Sequence, residues 1–228
     1  MEFIFESLKE AFLLIIRLDK ELLFISWTSI WIATTSTILS LVFGIPLAFA
    51  ITTNKFKGKQ ILITIINTLM ALPTVVVGLL VYSFICRRGF FGDFKLLYTP
   101  YAMIIGQFIL VCPIITSLVI SVLSGADERI QKTVLTLGAT KFQSVLTLAG
   151  ELRSGFLASI ITGFGRVFSE VGVSMMLGGN IKNYTRNITT AIALETAKGE
   201  FTVGLALGMV LLIVAFKINL ISRLLIKK

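Results

Sequence analysis

The sequence predicts an all-α membrane protein: a bundle of five transmembrane helices preceded by an amphipathic helix. Of its 228 residues, 56% are hydrophobic and only 14% are charged, whereas soluble domains average about 25% charged residues. Several windows of about 20 residues carry no charge, and this is the length at which an α-helix crosses ~30 Å of hydrocarbon. The apolar runs are continuous rather than alternating, which argues against a transmembrane β-barrel.

Residues 1–21 form the predicted amphipathic helix. They are densely charged, and their longest uncharged apolar run covers only 11–16. Phe5, Leu8, Phe12 and Ile15 fall on one helical face, as expected for a helix that lies at the membrane interface. No basic segment precedes an apolar core, so we do not expect a signal peptide.

The remaining residues, 22–228, are expected to form one transmembrane domain. The five predicted spans are 22–51, 61–85, 100–123, 156–177 and 201–221. A short basic loop follows the first span, a polar loop covers 86–99, a polar hairpin covers 124–155, and a last loop covers 178–200. Pro73 lies inside the second span.

An odd number of spans places the two termini on opposite sides of the membrane. Basic residues divide almost evenly between the sides. The tight loop with Lys55, Lys57 and Lys59, together with the tail ending Lys227-Lys228, favours the cytoplasm for these segments and for the hairpin. The N-terminus is then outside. The net charge of +9 reflects basic residues at the ends of spans, where they meet anionic lipid, rather than a nucleic-acid site.

Composition argues against catalysis by this chain. There is no His, and the two cysteines, Cys86 and Cys112, fit no metal motif. Gly58-Lys59 lacks the upstream glycine and the following Ser or Thr of a phosphate-binding loop. We therefore expect no bound cofactor or metal, and any ATP used would be hydrolysed by another polypeptide.

The hairpin is the first candidate site. It is a helix-compatible segment between two apolar runs, with Gly138-Ala139 at a plausible turn. Two short helices on the membrane face would present a knob that a soluble partner could grip, transmitting force to the third and fourth spans. The alternative is a plain connecting loop.

Arg166 and Glu170 are the second candidate site. They lie four residues apart on one face of the fourth span. Arg166 is ~15 Å into the span, where a lone charge costs about 3 kcal/mol or more. Pairing would lower that cost and direct both side chains toward the bundle interior. Two interpretations stay open: a structural ion pair that locks the helices, or an arginine that attracts an anion while Glu170 orients or gates it.

Small and hydroxyl residues of the second and fourth spans are a third candidate set. They allow close helix packing and supply weak donors for an oxyanion. The set is Thr74, Gly78, Ser159, Thr162, Gly163, Gly165, Ser169, Gly172 and Ser174. The last loop is either solvated, or it faces a partner or forms an outer gate through its amides and hydroxyls, which are Asn180, Asn183, Thr185, Thr189 and Thr190.

Several motifs resemble permeases of ABC importers. The segment LGATKFQSVLTL, 137–148, resembles the coupling loop of type I (MetI-like) permeases: Gly138 matches the glycine of that motif and Leu148 its isoleucine. Residues 132–134 stand where the motif has Glu-Ala-Ala, and 150–151 where it has Leu-Pro. Residues 73–78, PTVVVG, resemble the proline-containing span of molybdate-type permeases. Residues 165–181 and 185–201 are similar to the oxyanion group, the latter to its tungstate subgroup.

The resemblance implies a MetI-like homodimer in the prokaryotic inner membrane, carrying tungstate. It also implies an ATPase below, which would hold ATP and Mg, and an extracytoplasmic substrate-binding protein above. The implied ATPase-coupling residues are Leu137, Gly138, Ala139, Thr140, Lys141 and Phe142. The residues assigned to a translocation pathway are Arg166, Glu170, Pro73, Thr74, Ser169 and Asn180. Alternatives are a molybdate or sulfate permease, a stand-alone carrier or channel, and a non-transporting membrane scaffold.

Overall fold

The structure is a computed structural model that describes residues 19–125 and 149–226, with isolated positions 9, 12, 13, 143 and 147. The described helices are α1 Lys20–Thr53, α2 Lys59–Met70, α3 Thr74–Ile85, α4 Pro100–Ser124, α5 Arg153–Phe168, α6 Gly172–Gly178, α7 Ile188–Lys198 and α8 Phe201–Ile226. A 3-10 turn covers Gly92–Phe94. Most of the predicted amphipathic helix and the centre of the hairpin lie outside the described residues.

Within the described ranges, the predicted spans appear as three continuous helices and two bent pairs. Helices α1, α4 and α8 are each long and apolar enough to cross a membrane. The second and fourth spans are bent: α2 and α3 meet at 98°, and α5 and α6 meet at 54°. If each bent pair counts as one span, the total is the predicted five.

The break between α2 and α3 follows from Pro73. Proline has no N–H to donate and disfavours helical geometry in the residue before it. Helix α2 therefore ends at Met70, and Pro73 caps α3, its carbonyl accepting from the N–H of Val76 at 2.9 Å. Pro46 and Pro113, by contrast, lie inside helices that continue past them.

Helix α4 is the centre of the bundle, with α1, α2, α3, α5 and α6 all packed against it. Helix α1 runs parallel to it, since Ser36 faces Gln107 and Gly44 faces Thr116 further along. A Cβ on Gly44 would lie only 2.9 Å from the Thr116 hydroxyl. The two backbones approach closely because the α1 face toward α4 is built from small residues.

Helices α5 and α6 run antiparallel to α4, and glycines make the contacts at each level. A Cβ on Gly155 would lie 2.6 Å from Val122, and one on Gly163 would lie 2.7 Å from Ile115. At the other end, one on Gly178 would lie 2.5 Å from the sulfur of Met103. The pair is therefore held along its whole length against α4.

Ion pairs and one backbone hydrogen bond place three segments at the same end of the bundle. Glu21 accepts from Lys182 at 2.7 Å and from Arg186 at 3.3 Å, which joins the start of α1 to the loop after α6. The N–H of Tyr98 donates to the carbonyl of Leu177 at 2.9 Å, which adds the 86–99 loop. Five spans predict that the start of the first span and the loops 86–99 and 178–200 lie on one side of the membrane, and the structure places them together. That this side is the outside stays a prediction.

The region 178–200, expected to be a loop, contains a helix that enters the bundle. Helix α7 begins beside Ser29, whose hydroxyl oxygen accepts from the N–H of Ile188 at 2.7 Å. Ser29 is about 14 Å along α1. The other end of α7 returns toward the start of α1, where Glu195 and Asp19 line the same cavity. Gly199, with φ of +83°, then reverses the chain into α8.

The close α4–α6 contact generates a stability prediction. A Cβ on Gly106 would lie 2.6 Å from Val173, which is fully buried. We expect Gly106→Leu to overpack this contact and to lower the thermal unfolding midpoint in detergent by about 3 to 10 °C. Gly208→Leu is the matched control, because no atom lies within 4 Å of a Cβ placed there. Equal midpoints for the two variants would contradict the packing described.

Candidate functional site

The junction between α5 and α6 holds Glu170, the one charged residue that is buried within the described part of the chain. Helix α5 ends at Phe168, and Glu170 lies in the short break before Gly172 begins α6. The Glu170 carboxylate oxygen Oε1 accepts from the N–H of Val173 at 3.2 Å. A buried carboxylate thus caps the first turn of α6, which is one reason the fourth span bends here instead of continuing.

Glu170 also pairs with Arg166, as the spacing predicted. The guanidinium nitrogen Nη1 of Arg166 donates to Glu170 Oε2 at 2.7 Å. The two side chains differ in burial: that of Glu170 is 3% exposed, and that of Arg166 is 39% exposed. The expectation that both face the interior is therefore wrong for Arg166. Its guanidinium reaches out of the bundle, because Glu170 neutralises only one edge of it.

The first turn of α7 holds the backbone of Glu170. The hydroxyl of Thr189 donates its one hydrogen to the Glu170 carbonyl at 2.7 Å, and its oxygen lies 3.0 Å from Asn187 Oδ1. Asn187 caps α7 by accepting from the N–H of Thr190 at 2.9 Å. All four residues are buried. Inside an apolar bundle, an unpaired carbonyl is costly, so Thr189 replaces the intrahelical partner that the break removes.

The sequence singled out Thr189 and Thr190 only as members of a loop that is solvated or forms an outer gate, and it missed Asn187, because 178–200 read as a loop; the structure buries all three at the start of α7. The available signal was Asn187 followed by Thr190, which is the spacing of a capping box. That signal marks a helix start, but it does not reveal that the helix reaches the depth of Glu170.

The other bent pair meets this junction. Thr74, the first residue of α3, places its hydroxyl oxygen 2.8 Å from where a Cβ on Gly172 would lie. Glu170 Oε1 lies 3.4 Å from the same point. Pro73 is adjacent and exposed. The structure therefore brings together three of the predicted pathway residues, Pro73, Thr74 and Glu170, around a glycine that leaves room for them.

One face of α5 is exposed yet lacks large apolar side chains. Its exposed positions recur every three or four residues: Ser154, Ala158, Thr162, Gly165 and Ser169. No atom lies within 4 Å of a Cβ placed on Gly165, so this face opens onto free space. We call these five residues the α5 polar stripe. Arg166 borders it, whereas Ser159 and Gly163 on the opposite face are buried against α4.

Two other predicted pathway residues, Ser169 and Asn180, take no part in the Arg166–Glu170 ion pair. Ser169 belongs to the α5 polar stripe, with its hydroxyl donating to the carbonyl of Gly165 at 2.9 Å. Asn180 lies beyond α6, ten residues after Glu170 in the sequence. Its Nδ2 donates to the carbonyl of Thr190 at 3.3 Å, and its buried Oδ1 has no partner among the described residues. Asn180 therefore contacts α7 and is not part of the Arg166–Glu170 pair.

Gln107 is a further buried polar residue that sequence reasoning missed. Its Nε2 donates to the Ser174 hydroxyl at 3.0 Å, and its Oε1 accepts from Ser36 at 3.2 Å. It therefore ties α4 to α6 and to α1. A long amide in the middle of an otherwise apolar span was the signal that could have found it. The six predicted ATPase-coupling residues, 137–142, lie outside the described residues.

Taken together, the junction offers a half-exposed guanidinium beside a row of small and hydroxyl residues. A guanidinium presents N–H donors in a planar fork that suits an oxyanion. Among the described residues, only Glu170 forms an ion pair with Arg166. The arrangement is chemically suited to the passage of an anion along α5.

Comparison with known proteins gives relatives over nearly the whole chain, although no family model matches it. The chain is 37% identical to the tungstate uptake system permease protein TupB of Peptoclostridium acidaminophilum, over 96% of each chain. It is 38% identical to the protein of that name from Campylobacter jejuni, over 98% of this chain and 93% of that one. The molybdenum transport system permease protein of Escherichia coli is 26% identical over 86% of this chain.

The fold also has a solved counterpart. A chain from inward-facing crystal structures of the MetNI methionine ABC transporter matches with a TM-score of 0.75, covering 91% of this chain and 95% of that one. The sequence identity is 16%, so this likeness shows the fold alone. It confirms the predicted MetI-like fold.

The hydrogen bond from Thr189 to Glu170 yields a testable pair of variants. Thr189→Val keeps the shape of the side chain but leaves the Glu170 carbonyl unpaired, which costs about 1–3 kcal/mol. Thr189→Ser keeps the donor and should cost much less. Thermal unfolding of the purified chain measures both. If Val and Ser are equally stable, the hydroxyl does not hold the junction.

Proposed function

The chain belongs to the family of tungstate uptake permeases of ABC transporters, and on that basis we propose that it carries tungstate across the prokaryotic inner membrane. The observation that carries this proposal is the half-exposed Arg166 beside the α5 polar stripe, in a chain that matches tungstate permeases over nearly its whole length. Because the chain belongs to this family, we no longer consider it a stand-alone carrier or channel, or a non-transporting membrane scaffold.

Energy for transport would come from a separate ATPase on the cytoplasmic side, which would bind ATP and Mg. The proposed docking element is the hairpin 124–155, with 137–142 as its contact residues. It connects α4 to α5, and α5 carries the Arg166–Glu170 pair at its far end. A force applied to the hairpin would thus reach the junction through two packed helices.

The path itself would form between two copies of the chain. A single chain leaves the α5 polar stripe uncovered, and hydroxyl groups with a nearby cation are poorly suited to lipid. Facing stripes of a homodimer would enclose a polar path. Thr162, Ser169 and Arg166 would line it, while Glu170 would hold Arg166 in place. Weak, successive contacts suit a path that the substrate must leave.

Selectivity among oxyanions is assigned to an extracytoplasmic binding protein that delivers the substrate. Tungstate, molybdate and sulfate are all tetrahedral dianions, and one guanidinium beside hydroxyl groups distinguishes them poorly. Molybdate is the second candidate substrate, favoured by the 26% identity to a molybdenum transport permease. Sulfate is the third.

The pathway role of Arg166 can be separated from a structural role. We expect Arg166→Gln to lower ATP-driven tungstate uptake into proteoliposomes by at least about tenfold, because the path loses its cation. Lys217→Gln on α8, where the side chain is exposed, should transport normally. Basal ATP hydrolysis by the assembled complex should be retained in both, which shows that folding and assembly are intact. Unchanged uptake by Arg166→Gln would overturn the proposed pathway.

The substrate assignment has its own test. Isothermal calorimetry of the partner binding protein should give tungstate the lowest Kd, with molybdate and then sulfate weaker. Uptake by the complete transporter should follow the same order. Equal or tighter binding of sulfate would reassign the system to sulfate.

A further inference from the structure

A cleft at the Tyr98 end of the bundle takes no part in the proposed path. It has a volume of about 540 Å³ and is lined entirely by apolar residues. Its walls include Val81 and Phe84 of α3, Phe91 and Phe94 of the 86–99 loop, and Ile105 and Ile109 of α4. The exposed side chain of Ile109 places one side of the cleft at the lateral surface of the helices, where lipid lies.

The loop that roofs this cleft is held in a fixed shape. The N–H of Phe91 donates to the carbonyl of Phe84 at 2.8 Å, folding the loop back on the end of α3. Gly92 makes this return possible, since a Cβ there would lie 2.7 Å from the carbonyl of Cys86. The N–H of Tyr98 ties the far end of the loop to Leu177. The cleft is therefore formed before any ligand arrives.

The same loop carries three exposed cations and one acidic residue. Arg87, Arg88 and Lys95 form no ion pair within the described part of the chain, and Asp93 is the acidic residue. Arg87 and Arg88 lie between two lining residues of the cleft, Ile85 and Phe91. Lys95 lies directly between two others, Phe94 and Leu96. The three cations thus belong to the loop segment that borders the apolar cleft.

Two exposed tyrosines, Tyr98 and Tyr101, indicate that this end lies at the level of lipid headgroups. Phe90 is 85% exposed and Phe94 is 71% exposed. Aromatic belts form where a membrane protein crosses the boundary between hydrocarbon and water. Cations at that depth meet lipid phosphates, and an apolar cleft below them meets acyl chains.

We propose that this cleft is a binding site for an anionic phospholipid, with an acyl chain between α3 and α4 and the headgroup on Arg87, Arg88 and Lys95. The charge favours this occupant over a second copy of the chain. In a twofold interface the same patch meets itself, which would place these cations against their own copies. It also distinguishes the site from nonspecific lipid contact, which needs no cations.

The test is native mass spectrometry of the purified, lipid-stripped chain titrated with phosphatidylglycerol or with phosphatidylcholine of the same acyl chains. Phosphatidylglycerol should bind at least about tenfold more tightly, and added salt should reduce that preference. The variant Arg87→Gln/Arg88→Gln/Lys95→Gln should lose it. Lys55→Gln/Lys57→Gln/Lys217→Gln, which removes three exposed cations elsewhere, should keep it. Ile105→Trp should weaken binding of both lipids by filling the cleft.

Four results would overturn the proposal. The first is equal binding of the two lipids by the unaltered chain, a measurement that does not depend on any variant folding. The second is a preference that survives the triple substitution at 87, 88 and 95. The third is displacement of phosphatidylglycerol by millimolar inorganic phosphate, which would indicate a site for free anions. The fourth is that the triple variant at 87, 88 and 95 still binds phosphatidylglycerol but no longer binds the extracytoplasmic binding protein. That result would assign the loop to docking of that protein.

Discussion

The structure depends on how one buried carboxylate is satisfied inside an apolar bundle. Glu170 is nearly inaccessible, and each of its polar groups has a partner: Arg166 and the N–H of Val173 for the carboxylate, and Thr189 for the backbone carbonyl. A carboxylate without these partners would be expensive at this depth. The bend of the fourth span places the N–H of Val173 on this carboxylate, and the entry of α7 into the bundle places the Thr189 hydroxyl on the carbonyl.

This requirement also explains why α6, only seven residues long, is held so firmly. Gln107 bonds Ser174 in its middle, Gly106 and Gly78 let α4 and α3 approach it closely, and its first turn is capped by Glu170. Because α6 is packed against α4 and α3 and is capped by Glu170, we expect it to move with these neighbours as one unit. In the proposed transporter, motion that begins at the hairpin and passes along α5 would therefore reach the helix beyond the junction.

The sequence alone predicted the fold class, the spans and the Arg166–Glu170 pair, because each leaves a local signal: apolar length for the spans, and a spacing of four for the pair. It did not predict the bend at 71–73, because Pro46 and Pro113 show that proline is tolerated inside other helices of this chain. It did not predict the hydrogen bond of Thr189 to Glu170 or that of Gln107 to Ser174, because the partners lie 19 and 67 residues apart along the chain. Such contacts depend on tertiary packing, which has no local pattern. The outward reach of Arg166 was missed for a similar reason, since helical spacing fixes a shared face but not which partner is buried.

The central claim is that the α5 polar stripe faces a water-filled path and not lipid. The most direct measurement is labelling by a charged, membrane-impermeant thiol reagent, in a background where Cys86 and Cys112 are replaced. Thr162→Cys lies on the stripe, and Leu212→Cys is also an exposed site, on an apolar helix. The account predicts that Thr162→Cys is labelled in the assembled transporter and that tungstate slows the reaction, while Leu212→Cys stays unlabelled. Failure of Thr162→Cys to react, as expected for a thiol in lipid, would contradict it.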